Sequence, residues 1–176
     1  HRLEKRSGGT NNPDNYMLLD TISYSPDHGI TWYKPMNYMG VFQELLKARH
    51  DAQVLLKYEF ESRITLNKCE FLIENTNVKR IYVNGVELTE YKTNPIEDTV
   101  NIYDIAEHVK VGHNEVIVSI DFHESKMVYD VLFDNVGTES LKNMIVYDVT
   151  IEPATLIGDF GVFGEFTPGD SKNTLR

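Results

Sequence analysis

Residues 81–88, Ile-Tyr-Val-Asn-Gly-Val-Glu-Leu, constrain the fold more than any other part of the chain. Two apolar-rich runs flank Asn84-Gly85, the dipeptide whose positions accept the left-handed backbone that a tight hairpin turn needs. Further on, Asp104 stands where it can cap a one-turn helix carrying Ile105 and Val109, and Gly112-His113-Asn114 then turns the chain into a new run. In that run Val116, Val118, Ile120 and Phe122 alternate with Glu115, Ser119 and Asp121, the period of a strand buried on one face. A hairpin, a helical turn and an alternating strand in this order predict antiparallel sheet. They leave little room for parallel strands joined by helical crossovers.

The rest of the chain reads the same way. Val54, Leu56, Tyr58 and Phe60 share one parity, as do Cys69, Phe71 and Ile73. Residues 16–22, 99–103, 127–133 and 145–151 read as further strands, and 155–162 closes the domain. Breaks fall at Ser25-Pro26-Asp27-His28-Gly29, at Asn94-Pro95 and over 137–143, where turn-forming residues cluster. Val41, Phe42, Leu45 and Leu46 recur at helical spacing and predict one short amphipathic helix over 41–49. About nine short strands with one helix and one helical turn predict an all-β fold, an antiparallel jelly-roll β-sandwich.

At 176 residues the chain has the length of one domain. Residues 16–163 make up the expected sandwich. Residues 1–15, with Gly8-Gly9 and Asn11-Asn12-Pro13, and 164–176, with Pro168-Gly169, read as polar linkers or tails. With His1 in first place, the chain reads as a piece of a longer protein. Its 27 acidic and 17 basic residues give a formal charge of -10, which argues against nucleic acid and against an anionic membrane surface as partners. The lone Cys69 rules out an intrachain disulfide and a thiolate zinc cluster, and its apolar neighbours place it in the core. No apolar run approaches the roughly 18 residues of a membrane span, and no signal peptide is visible. Compartment stays open between a bacterial cytoplasm and secretion.

The run from Val83-Asn84-Gly85 through Asp104-Ile105 to Gly112-His113-Asn114-Glu115-Val116 resembles the sugar-binding, galactose-binding-like jelly roll of family-2-type glycoside hydrolases. A second resemblance spans residues 16–162. Leu19-Asp20, Trp32, Tyr58-Glu59-Phe60, Tyr147-Asp148, Ile151-Glu152-Pro153 and Leu156-Ile157-Gly158-Asp159-Phe160-Gly161-Val162 are similar to the β-sandwich of large bacterial enzymes related to α-L-rhamnosidases. Both resemblances imply a non-catalytic accessory domain that binds carbohydrate or braces a catalytic domain of the same parent chain. The hydrolytic carboxylates would then lie on a separate barrel, which needs about 250 residues. The alternative is a freestanding hydrolase with a carboxylate pair on the sandwich itself.

Sugar rings stack their C–H faces on aromatic planes and offer hydroxyls to polar side chains. Trp32 and Tyr33, with Tyr38 nearby, form one candidate platform. Tyr91, with Asn94 and Asp98, forms a second. A core or interdomain role for Trp32 is the competing reading. Glu97-Asp98, Asp121 with Glu124, and Asp148 with Glu152 are the carboxylate pairs available for hydrolysis. Their ordinary reading is solvated surface charge, with Glu152 before Pro153 the one expected to be partly buried. His28, His113 and His123 are possible bases or metal ligands, but none lies in a dense ligand motif, and no Gly-x-Ser-x-Gly elbow is present. No cofactor is expected. The resemblance implies only that an acidic loop, 94–98 or 11–14, can hold a structural calcium ion.

Overall fold

The computed structural model describes residues 2–5, 14–74, 77–134 and 138–163. Their strands form two sheets stacked as a sandwich. The eight-stranded sheet holds β1 (Arg2–Lys5), β3 (Thr21–Ser25), β4 (Met36–Asn37), β5 (Ala52–Ser62), β7 (Val78–Val83), β8 (Val86–Leu88), β11 (Gly112–Phe122) and β13 (Phe160–Phe163). The five-stranded sheet holds β2 (Asn15–Leu19), β6 (Cys69–Glu74), β9 (Lys92–Thr93), β10 (Val100–Asp104) and β12 (Ala154–Gly158), in the order β2-β12-β6-β10-β9. Pairing is antiparallel except where β1 runs beside the end of β5. The all-β sandwich read from the sequence is therefore present.

Two strands of 11 residues, β5 and β11, form the spine of the larger sheet and pair along their whole length, from Gly112 opposite Ser62 to Phe122 opposite Ala52. Their alternation turns Val54, Leu56, Tyr58, Phe60, Val116, Val118, Ile120 and Phe122 inward, all buried. Cys69, Phe71 and Ile73 of β6 meet them from the smaller sheet. Tyr58 and Phe71 pack edge to face across the layers with ring centroids 5.5 Å apart. The Tyr58 hydroxyl donates to the Glu152 carbonyl at 2.8 Å, and burial drives its phenol far above the usual range. Burial also pushes the Cys69 thiol up to about 12, which keeps it a protonated, inert core residue.

The hairpin is as predicted. Asn84 and Gly85 adopt φ of 49° and 86° between Val83 and Val86, which pair. The Asp104 carboxylate caps the following turn, a single 3-10 turn over Ala106–His108, by accepting from the Ala106 amide at 3.1 Å. Asn114 then does more than begin a strand. It is fully buried, and its Oδ1 accepts from the Lys110 amide at 2.9 Å and from Asn84 Nδ2 at 2.8 Å. Its Nδ2 donates to the carbonyls of Lys110 at 2.8 Å and Gly112 at 2.9 Å. Asn84 Nδ2 also donates to the His108 carbonyl at 2.8 Å, and Asn84 Oδ1 accepts from the Glu115 amide at 3.2 Å. Two asparagine side chains thus join the hairpin, the 3-10 turn and β11.

Helix α1 (Tyr38–Lys47) begins where the Asn37 side chain accepts from the Met39 amide. It stops in a Schellman arrangement: Arg49 takes φ of 48°, its amide donates to the Leu46 carbonyl, and the His50 amide donates to Leu45. Its stripe of Val41, Phe42, Leu45 and Leu46 is buried, and Phe42 meets the edges of Phe122 and Tyr147.

Several expectations need correction. Residues 127–133 are not a strand but lie in α2 (Lys126–Phe133), which follows Ser125 and carries an i,i+4 pair between Lys126 and Asp130 at 2.6 Å. Residues 145–151 alternate in hydrophobicity yet pair with no strand among the described residues, and α3 (Glu139–Lys142) stands in the expected loop before them. The helices therefore outnumber the single one expected. The strand read over 16–22 is two strands that divide at Asp20 and enter different sheets. The N-terminal linker reading fails over residues 2–5, where β1 bridges β13 and β5 and Leu3 is fully buried. Residues 6–13 and 164–176 lie outside the described residues, as does the 11–13 part of the second candidate calcium loop.

Candidate functional site

The larger sheet turns Gln53, Leu55, Lys57 and Glu59 of β5 outward, beside Glu115, Ile117, Ser119 and Asp121 of β11. Strand β7 adds Tyr82 opposite Ile117 and Arg80 opposite Ser119. The loop after β3 closes one side. Within it the Ser25 hydroxyl donates to Asp27 Oδ1 at 2.8 Å and accepts from the Gly29 amide at 2.9 Å, and Asp27 Oδ1 also accepts from the Thr31 amide at 2.8 Å. His28 and Gly29 take positive φ, which brings His28 Nδ1 to 2.9 Å from Gln53 Oε1.

These pieces enclose an open groove of about 820 Å³ whose lining includes His28, Gln53, Leu55, Tyr82, Ile117 and Asp121. Leu55 and Ile117 give it apolar ground. Around them Asp121 pairs with Lys79 at 3.3 Å, and Arg80 lies 3.7 Å from Glu87. Ser119 also lines the groove, and its buried Oγ has no hydrogen-bond partner among the described residues. An apolar base ringed by amide, imidazole, carboxylate and guanidinium groups can take a ligand that offers both an apolar face and hydrogen-bonding groups.

The hydrogen bonds from Thr31 and Ser25 hold the Asp27 carboxyl below its ordinary range. A depressed carboxyl adds stability above its unfolded value, near 4, and loses it as pH falls through the lower folded value. The loop should therefore hold at neutral pH and loosen in acid below about pH 4. Trp32, the single tryptophan, lies just beyond the loop and reports on it. Its emission should shift in that acid range in the native chain and stay flat in Asp27→Asn.

The aromatic candidates do not converge. Trp32 is half-buried against the outer face with Lys57 Nζ 4.2 Å from its ring centre. Tyr33 stacks on Tyr24 at 4.7 Å, and Tyr24 shares the inward parity of Leu56. Tyr38 opens α1 and packs partly against the core. Tyr91 is exposed at the edge of the smaller sheet, 5.5 Å from the Tyr103 ring. It flanks two clefts of about 240 and 130 Å³, and neither is lined by Asn94 or Asp98. Asn94 Oδ1 accepts from the Ile96 and Glu97 amides, so its oxygen serves the turn, while Asp98 is exposed.

The carboxylates are dispersed too. Glu97 and Asp148 are exposed, and Glu152 is half-buried with its carbonyl serving Tyr58. Glu124 accepts from the Asp148 and Val149 amides at 3.0 and 3.2 Å, which pins the irregular 145–151 segment, and burial raises its carboxyl. Asp14, at the end of the second candidate calcium loop, binds Lys68. Among the described residues Asp121 is the one carboxylate lining the groove. His28 borders it, whereas His123 is exposed elsewhere. Sequence reading missed Gln53, Tyr82 and Ser119 as lining residues. Their outward parity was readable, but the covering loop was not.

The class defined here is a two-layer all-β sandwich with an open groove on its larger sheet. Neither a family model nor a curated protein matches the chain. Solved structures do. One is a β-glucuronidase from Ruminococcus gnavus bound to a C6-substituted uronic isofagomine, with a TM-score of 0.54 and 16% identity over 89% of this chain and 31% of that chain. The same enzyme in its crystal structure gives 0.54 and 16%, over 89% and 30%, and in complex with D-glucuronic acid it gives 0.53 and 15%, over 89% and 31%. At such identity the likeness shows the fold alone. The chain spans less than a third of these proteins. They are β-glucuronidases, so the α-L-rhamnosidase side of the sequence resemblance gains no support from them. No helix among the described residues is long and apolar enough to cross a membrane.

Proposed function

We propose that this chain is the non-catalytic, galactose-binding-like sandwich of a glycoside hydrolase, and that its outer groove binds carbohydrate for a catalytic domain of the same parent protein. The observation that carries the reading is the shared fold, which places this chain against a fragment of a β-glucuronidase. The groove supports the carbohydrate half. The freestanding-hydrolase reading needs two convergent carboxylates in a pocket. Among the described residues Asp121, beside Lys79, is the one carboxylate lining the groove, and the opposed pair Glu59 and Glu115 lies outside it on the open sheet face.

A panel of neutral and acidic sugars, uronates first, tests this by titration calorimetry. Tyr82→Ala and Asp121→Ala should each weaken binding roughly tenfold, the loss of about 1.4 kcal/mol. Trp32→Ala, which disturbs the neighbouring Lys57 rather than the groove, should cost less. Full affinity in both groove variants would remove the groove as the site.

A bracing role has its own support. Met127, Phe133, Leu141, Met144 and Val146 are all exposed, on α2, α3 and the segment after them. That flank suits a neighbouring domain. If no sugar binds, and the parent's adjoining sequence raises the melting temperature and shields these residues, bracing is the role.

A further inference from the structure

Beyond the groove, towards the opposite end of the same outer face, β5 and β11 set Glu59 directly opposite Glu115, with His113 two residues before Glu115 on the same side. Carboxylates opposed across a ladder repel unless a cationic or hydrogen-bonding group stands between them. His113 Nε2 lies 3.2 Å from Glu59 Oε1, and Lys57 Nζ lies 3.8 Å from Glu115 Oε2. One donor atom from each of Glu59, His113 and Glu115 falls within 4.8 Å of the others. Ligands about 2.0–2.2 Å from a tetrahedral zinc ion are themselves roughly 3.3–3.6 Å apart. The His113–Glu59 pair already has nearly that separation, so only the Glu115 carboxylate must close in, by side-chain rotation.

We propose that Glu59, His113 and Glu115 form a zinc site that leaves a fourth position open to water. The donors project from the fully paired spine of the sheet, so backbone ordering is complete before the ion arrives. Their side chains are 36%, 57% and 34% exposed, which gives zinc a route from solvent. Glu61, opposite His113 in the ladder, adds negative charge nearby. Lys57 is the competitor for Glu115, but its ammonium also lies over the Trp32 ring at 4.2 Å and can remain there when zinc takes the carboxylate. One imidazole with two carboxylates suits zinc. Calcium takes six to eight oxygens and gains little from an imidazole. His113 binds as the neutral ring, so uptake releases any proton it carries. The sequence shows His113 and Glu115 two residues apart but not Glu59, which belongs to a different strand.

Titration calorimetry of the full chain with zinc chloride near pH 7.5 tests this site. The result expected is one saturable ion per chain, with affinity reduced at least about tenfold in His113→Ala and in Glu59→Gln. Lys57→Ala should tighten binding, and excess calcium should not displace the ion. His1→Ala, His28→Ala and His123→Ala should leave affinity unchanged. All these side chains lie on the surface or at the terminus, and thermal melts without metal should confirm that each variant folds. Absence of saturable uptake, unchanged affinity in His113→Ala, or equal competition by calcium would overturn the site. Tyr82→Ala should bind zinc normally, so this test is separate from the sugar test.

Discussion

Replacing Asn114 with alanine is expected to destabilise the fold by about 3–5 kcal/mol. The change strips hydrogen-bond partners from the Lys110 amide, from the carbonyls of Lys110 and Gly112, and from one bond of the Asn84 amide group. Asn114 is fully buried, so water does not replace these partners without opening the site. Aspartate in its place should be as damaging. It keeps the shape but cannot donate to the two carbonyls, and it buries a charge. Urea unfolding of wild type, Asn114→Ala and Asn114→Asp reads the effect as a lower midpoint with an unchanged slope. A loss below about 1 kcal/mol would mean that the network is not the joint described here.

Gly158→Ala should rank next, at about 2–4 kcal/mol or outright failure to fold. A methyl at this position would lie 2.3 Å from the Lys68 carbonyl oxygen and 3.0 Å from the Phe160 ring. Neither can retreat. Gly158 pairs with Cys69 on one side and Asn15 on the other, and Phe160 is completely buried. Gly85→Ala provides the contrast. Its φ is +86° and nothing lies within 4 Å of the added methyl. Only backbone strain remains, worth about 1 kcal/mol. Thermal melts of the two variants should separate by several degrees, and equal melting temperatures would contradict the packing at Gly158.

Local pattern suffices for part of this fold. The hairpin, β5, β6, β11 and α1 were readable because each carries a long single period or a turn dipeptide with one geometric solution. The 127–133 segment was not. Met127-Val128-Tyr129-Asp130-Val131-Leu132-Phe133 is rich in strand formers, yet burial falls on Val128, Tyr129 and Val131, a short helical face. Seven residues are too few for periodicity to decide, and tertiary packing does. Residues 145–151 alternate convincingly but find no partner strand among the described residues. The amides of Asp148 and Val149 go to Glu124 instead, a long-range contact that no local rule contains. At Asp20 the inward parity switches from Met17 and Leu19 to Ile22 and Tyr24, which marks the change of sheet. The groove was half legible. Outward residues follow from inward ones, but the pairing of β5 with β11 and the position of the 25–31 loop do not.

The most direct test of carbohydrate binding at the groove is a sugar titration of the 15N-labelled 20.3 kDa chain followed by amide chemical shifts. Saturable shifts at Gln53, Leu55, Tyr82, Ile117, Ser119 and Asp121 are the expected result. No saturable shift with any neutral or acidic sugar, or shifts confined to α2, α3 and residues 144–146, would contradict it.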